Sequence, residues 1–292
     1  MRIVVFILFL CLQIYAEVMP YNIKPAGFYS KKIDILDSKE FVSKGVSEIS
    51  DLAFCHGVLY GVGDGGYLYK FDLKIKNNKI EDIKHLQTFS LDDRDAEGLK
   101  CVDNRLLISF EQDGEVAYFD FEAHKIKDAK IDKILLDEKR YKSANKSLES
   151  VTYNTKYGVV TAPELPLRGK ENNHHTIFTQ HGNFDFFAKG CITSMEFIDQ
   201  DRVLVLLRDY SYLTHRQKIT LLALNLLKNS NTNTEMILKM DSKKGWKIDN
   251  FEGLTKVGER LYLIVSDNND NMFEKTLFVL FTLPISNHST TE

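Results

Sequence analysis

A short apolar and acidic phrase recurs five times along this chain, and that recurrence limits the fold to an architecture built from repeated units. It reads S-D-L-A-F at Asp51, A-E-G-L at Glu97, L-E-S-V-T-Y at Glu149, M-E-F at Glu196 and F-E-G-L-T at Glu252. The acids lie 46, 52, 47 and 56 residues apart, a period typical of solenoids, propellers and arrays. A second acid follows each first one after another apolar run, at Asp64, Glu111, Glu164, Asp209 and Asp267. The offsets of 13, 14, 15, 13 and 15 residues fit two short strands joined by a tight turn, which puts both acids at one end of the hairpin. Asp is an ordinary turn former at strand ends. Glu has no such turn chemistry, so the Glu copies point past turn formation.

Apolar runs are short and often alternate, as in Y-L-Y-K-F-D-L around Phe71, E-V-A-Y-F-D-F around Phe119 and H-T-I-F-T-Q around Phe178. Helical periodicity is weak; the exception is 132–146, where Ile134, Leu135 and charged neighbours predict a helical turn or two. Each unit reads as four strands, in the first unit about Asp51 to Cys55, Val58 to Gly63, Tyr67 to Leu73 and Ile83 to Phe89. Four-stranded repeats of this length predict an all-β fold, a β-propeller of five blades, with six as the alternative if Tyr21 to Val46 forms a degenerate unit. The last unit runs out of chain after three strands, and Lys32 to Phe41 can supply its outer strand, closing the ring by pairing N- and C-terminal segments. No Pro-, Gly- or Ser-rich linker divides the chain, so 17–286 reads as a single domain followed by a loose tail at 287–292.

Residues 1–16 read as a secretory signal: Arg2, an apolar stretch from Ile3 to Tyr15 broken only by Gln13, and Ala16 at the cleavage point. The stretch is too short to span a membrane, and no later run is long enough, so the expectation is a periplasmic or secreted protein. Cys11 as a lipidated residue is disfavoured by the bulk of Leu10 before it. Cys55, Cys101 and Cys191 then remain, an odd number without C-x-x-C spacing. One bridge remains open in an oxidising compartment; Cys55 and Cys101 follow their acids by the same four residues, however, and equivalent positions in neighbouring units are expected to lie too far apart to bond, which favours three packed or free thiols. Net charge is -3, and no basic stripe interleaves with aromatics, so nucleic-acid binding is not expected.

Taken in order, D-L-A-F with G-V-G-D-G-G, D-A-E-G-L with S-F-E-Q-D-G, S-L-E-S-V-T-Y with A-P-E, I-T-S-M-E-F with L-L-R-D-Y-S and N-F-E-G-L-T with S-D-N-N resemble the phytase-like, esterase-like domain family of exported bacterial proteins. The resemblance covers about residues 47 to 283 and implies a propeller with phosphoester or carboxylester hydrolysis. Two places depart from the family pattern: Leu207-Arg208 stands where E-R is usual, and Glu149-Ser150 where E-G is commoner.

In a propeller the innermost strands border a central channel, so the ten acids would form a double ring at one mouth: Asp51, Asp64, Glu97, Glu111, Glu149, Glu164, Glu196, Asp209, Glu252 and Asp267. Crowded carboxylates repel and call for a cation. Ca2+, which tolerates irregular sites of six to eight oxygens, is the expected cofactor. Basic residues on nearby loops, Arg94, Arg140, Lys142, Lys146, Arg168, Lys170, Lys243, Lys244 and Lys247, are for the most part simply solvated. Arg94, Arg168 and above all Arg208, which ends an apolar strand, are the candidates for binding a small ester or phosphate ligand. Arg208, Glu97 and Glu149 are the candidate catalytic residues, the first bracing developing charge and the others holding the ion or its water. His174, His175 and His181 match no zinc spacing; Ser143 and Lys146 lack the partner motifs of a serine acyltransferase, and no G-x-S-x-G elbow exists. Asp267 to Asp270 reads either as oxygen ligands or as an Asx-rich turn. A lactonase-like ester hydrolase and a non-catalytic propeller that binds a ligand or an envelope partner are the competing readings.

Overall fold

In a computed structural model the chain forms five antiparallel sheets in a ring, described over residues 17–284 apart from 93, 112–113, 122–124, 133–134, 136, 144–146, 228–232 and 272. The first blade is β3 (Ile49–Cys55), β4 (Val58–Gly63), β5 (Tyr67–Lys76) and β6 (Lys79–Ser90). The second is β7 (Ala96–Val102), β8 (Arg105–Phe110), β9 (Glu115–Asp120) and β10 (Lys125–Asp128). The third is β11 (Leu148–Asn154), β12 (Gly158–Pro163), β13 (His174–Thr179) and β14 (Gly182–Phe187). The fourth is β15 (Cys191–Phe197), β16 (Arg202–Ser211), β17 (Arg216–Asn225) and β18 (Thr234–Asp241). Each sheet runs in simple up-and-down order, and the innermost strands β3, β7, β11, β15 and β19 (Asn250–Lys256) pack against one another around the axis.

The fifth blade closes the ring as expected. Behind β19 come β20 (Leu261–Asp267) and β21 (Thr276–Thr282), and β2 (Asp34–Phe41) pairs with β21 from the other end of the chain. A short β1 (Val18–Pro20) adds to the edge of β2, so 21–46 completes blade five and forms no sixth blade. Phe41, the last residue of β2, meets Phe71 of blade one and Phe278 of blade five edge-on, each at 5.8 Å between ring centres. Fully burying a side chain of this size stabilises the fold by about 1.5–3 kcal/mol, so the closing strand is held by packing as well as by its ladder. Similar apolar wedges lie between successive blades, for example Ile49, Leu59, Val265 and Leu280 between blades one and five. Among the described residues the expected helical segment supplies a 3-10 turn at Glu138–Arg140, and Leu135 and Tyr141 on either side of it are buried; Ile134 is outside the described residues. Among the described residues no helix is long and apolar enough to cross a membrane.

One expectation is overturned. Cys55 and Cys101 form a disulfide, with Cα atoms 5.4 Å apart. The inner strands converge on a narrow axis, so equivalent residues of β3 and β7 lie within bonding range, as they would not on outer strands. Cys191 is free. The leader at 1–16, Cys11 within it, Lys146 and the tail at 287–292 lie outside the described residues.

Candidate active site

A register shift in each inner hairpin shows which residues are equivalent. The pairing of inner with second strand skips one residue in every blade: Ser50, Glu97, Glu149, Thr193 and Glu252. This bulge lets the inner strand turn a side chain into the mouth. The residue after the bulge faces the neighbouring inner strand. A Cβ on Gly98 would come within 2.7 Å of the Val151 nitrogen, and one on Gly253 within 2.9 Å of the Asp51 Cα. The glycine of the E-G phrase is therefore a close-packing requirement between blades.

The predicted double ring is accordingly corrected. Its inner positions hold three glutamates with Ser50 and Thr193 in place of Asp51 and Glu196. Asp51 sits one residue beyond the bulge, fully buried in the channel, where Oδ1 accepts from the Leu254 nitrogen (3.0 Å) and the Ser194 hydroxyl (2.8 Å) and Oδ2 from the Leu99 nitrogen (2.9 Å). It ties blade one to blades two, four and five. Burial pushes its carboxyl up to about 8, against the lowering effect of these donors. Glu196 is the sixth residue of its strand and lies toward the far end of the channel, bonded to the Lys100 ammonium and the Lys256 backbone nitrogen. Neither residue belongs to a ring at the mouth. Asp51→Ala strands two buried N–H groups and is expected to lower unfolding free energy by about 1–3 kcal/mol; urea denaturation measures this, and a loss within about 0.5 kcal/mol, the range of neutral surface changes, would refute the assignment.

The outer positions follow from the same ladders. Gly63, Phe110, Pro163, Leu207 and Ser266 pair with equivalent inner residues, so the next residues are equivalent: Asp64, Glu111, Glu164, Arg208 and Asp267. Arg208, not Asp209, fills the fourth place. Asp209 is one step further along β16, where the Lys218 ammonium holds it at 2.7 Å.

Six carboxylates at this mouth, Glu97, Glu111, Glu149, Glu164, Glu252 and Asp267, are less than 9 % exposed. Oxygens of Glu111, Glu149 and Glu164 lie within 4.8 Å of one another, and so do those of Asp64, Asp95 and Glu97. Burial, then the Glu149 charge, pushes Glu97 well above the ordinary carboxylate range; burial, then Glu164, does the same to Glu149. Burial raises Glu252 to about 8 and Asp267 to about 7. The guanidinium of Arg208 enters among them, donating to Glu252 Oε1 and Asn250 Oδ1, with Glu164 at 3.9 Å. Burial disfavours its charge, but Glu252, Glu149 and Glu164 outweigh that and hold it ionised. The Cys191 thiol beside Arg208 and Glu164 is pushed up to about 12 by burial and the Glu164 charge, so it is no thiolate nucleophile.

The other basic candidates have structural contacts. Arg94 lies 3.7 Å over the Phe110 ring and pairs with Glu115 at 2.8 Å, next to Glu111. Arg168 Nε donates to the Tyr141 carbonyl at 2.6 Å, fastening the loop before blade three. His174 pairs with Asp185 while His175, next along β13, points to the opposite face and stacks on Phe186. At 268–270 the Asx-turn reading holds: Asn269 and Asp270 are left-handed, and the Asn269 nitrogen donates to Asp267 at 2.8 Å. Sequence reasoning missed Asp95, although it stands within D-A-E-G-L, and Asn250, two residues before Glu252.

No curated protein matches the chain. Two solved structures are similar to it at low identity. A Myxococcus xanthus glutaminyl cyclase is 11% identical with a TM-score of 0.48, covering 86% of this chain and 97% of that one. A chain of a mitotic checkpoint complex is 10% identical with a TM-score of 0.38, covering 85% and 72%. The family described as "Phytase-like: Esterase-like activity of phytase" matches residues 44–270, from just before the first inner strand into the turn after the last ring acid. By that match, the chain belongs to the phytase-like family.

Proposed function

We propose that the protein is an exported hydrolase of phosphate or related esters, acting at the acidic mouth with calcium bound there. The observation that carries this reading is the burial of six carboxylates around a single embedded guanidinium. So much like charge out of water is costly unless a cation offsets it or protons stay on. The donors are all oxygen, carboxylates of several blades with the Ser50 and Thr193 hydroxyls between them, which suits a hard ion with an irregular shell. Glu111, Glu149 and Glu164 would hold one ion, and Asp64, Asp95 and Glu97 form a second oxygen set beside it. When bound, calcium supplies Lewis-acid polarisation of an ester oxygen.

The chain's own groups supply the rest. Arg208, held by Glu252 and Asn250, presents fixed positive charge to the anion that develops on the ester. In the ionised form that would hold the ion, Glu97 and Glu149 can accept a hydrogen bond from the attacking water, take its proton and return it to the leaving oxygen. Water adds to the ester centre, the bond to the leaving oxygen breaks, and an acid and an alcohol are released. The Cys55–Cys101 disulfide supports export to the periplasm or beyond, where such bonds persist.

The test is a panel of phosphomonoesters, phosphodiesters, lactones and carboxylesters assayed with the mature protein in calcium and in chelator. Calcium-dependent turnover of at least one ester class is expected. Lactone turnover alone would move the reading to a lactonase-like enzyme. Failure to turn over any ester, with an envelope fraction still retained through Arg208, would replace the hydrolase by a binding module.

A further inference from the structure

Blade four departs from the others at the mouth in three ways. Thr193 and Arg208 stand in both of its ring positions, so it contributes no ring carboxylate. Its second strand does not stop at the ring: β4, β8 and β12 have six residues and β20 has seven, but β16 has ten. Pairing with β17 continues through Asp209↔Lys218 and Tyr210↔Gln217 to Ser211↔Arg216. At about 3.3 Å per residue, the hairpin stands roughly 10 Å beyond the acids. Its tip carries Tyr210, Tyr212 and Leu213, the last two 84% and 97% exposed. A surface hairpin has no folding reason to hold three large apolar side chains in water.

The tip is braced. Lys218 holds Asp209, Arg216 Nε donates to Asp241 at 2.9 Å, and the Tyr210 hydroxyl lies 3.1 Å from His215 Nδ1. Tyr210 and Tyr212 meet edge to face, 4.9 Å between centres at 89°, which leaves ring surface open. Both rings line a cavity of about 530 Å³ that Arg208, Glu164 and Asn250 also line. A volume of this order suits a small organic ligand, with its polar end at Arg208 and its body against the tyrosines.

We propose that the blade-four hairpin is a recognition wall for an aromatic group, so that the site selects aryl esters over small alkyl esters. This rests on the ester reading above. Stacking against Tyr210 and Tyr212 adds affinity for a ligand with a planar ring and none for a methyl group, which has no ring face to offer.

The experiment measures binding of phenylphosphonate and methylphosphonate, which cannot turn over, to the mature protein in calcium by calorimetry. Phenylphosphonate is expected to bind about tenfold tighter. In Tyr210→Ala/Tyr212→Ala the ratio falls to about one, and in the corresponding double Phe variant it stays, since the rings and not the hydroxyls do the selecting. Circular dichroism establishes that the variants fold, and Tyr212→Ala alone, at an exposed position, serves if the double variant does not. Equal affinities in the wild type, no binding of either probe, or a ratio that survives loss of the rings would overturn the wall. A wild type that shows the ratio yet hydrolyses no ester keeps the wall and sinks the esterase reading instead.

Discussion

Arg208→Ala is expected to lower kcat/KM for ester hydrolysis by about 10²–10³, the usual cost of removing one fixed donor from developing charge. Glu97→Gln should lower it comparably, because the amide neither takes a proton at neutral pH nor offers calcium an ionised oxygen. The two variants part company in stability. Without Arg208, Glu252 loses its ion-pair partner and the fold weakens. Glu97→Gln keeps the neutral form toward which burial already pushes this carboxyl, so in chelator it should melt no lower than wild type while still being inactive. Arg208→Lys keeps the charge but not the two-pronged donor, and should recover only part of the activity. Lys76→Ala, on an exposed strand end beside Glu81, is the control and should change little. Steady-state kinetics with melting curves decide the matter; full activity in Glu97→Gln would remove that residue from the mechanism.

Calcium should raise the melting temperature, and more at pH 8 than at pH 5. Glu252 and Asp267 titrate near 8 and 7 in the folded protein against ordinary values of 4.5 and 3.8. Between about pH 4.5 and 8 the metal-free folded state keeps protons that the unfolded chain has lost, so stability falls as pH rises through that window. Asp51, pushed up to about 8, and Asp249, to about 6, act in the same direction. Asp241, held near 2 by the Arg216 guanidinium, acts only below the ordinary carboxylate range, where its contribution is lost on acidification. Calcium held by Glu97 and Glu149, which burial also pushes up, would take the place of retained protons. At a hundredfold excess over its Kd it adds about 2.7 kcal/mol, roughly 5–10 °C for a domain of this size. Scanning calorimetry in calcium and in EGTA reads both effects, and a metal-free protein that grows steadily more stable from pH 5 to pH 8 would contradict them.

The propeller was legible because each blade must bury one inner hairpin against the next, and that need repeats the same apolar run and turn at a near-constant spacing. The E-G phrase was legible for the same reason. What the letters hid was a single residue of register. Ser50 and Asp51 are neighbours, as are Arg208 and Asp209, and only the bulge decides which of each pair reaches the mouth. Such bulges are set by ladder hydrogen bonds between strands and leave no composition of their own. Glu196 imitated the repeat by lying in an apolar run, although Thr193 is the equivalent residue. The Cys55–Cys101 bond was hidden because separation in sequence says nothing of how closely inner strands converge.

The proposed calcium site draws on the buried carboxylates of the mouth. Isothermal titration of calcium into metal-free wild type and into Glu111→Gln/Glu149→Gln probes it, since that variant takes the charge from two of the three converging carboxylates. Saturable binding is expected in the wild type, with a Kd of about 10⁻⁴–10⁻³ M or tighter as for extracellular sites, and its loss in the variant. No binding by the wild type, or the same isotherm from both proteins, would contradict it.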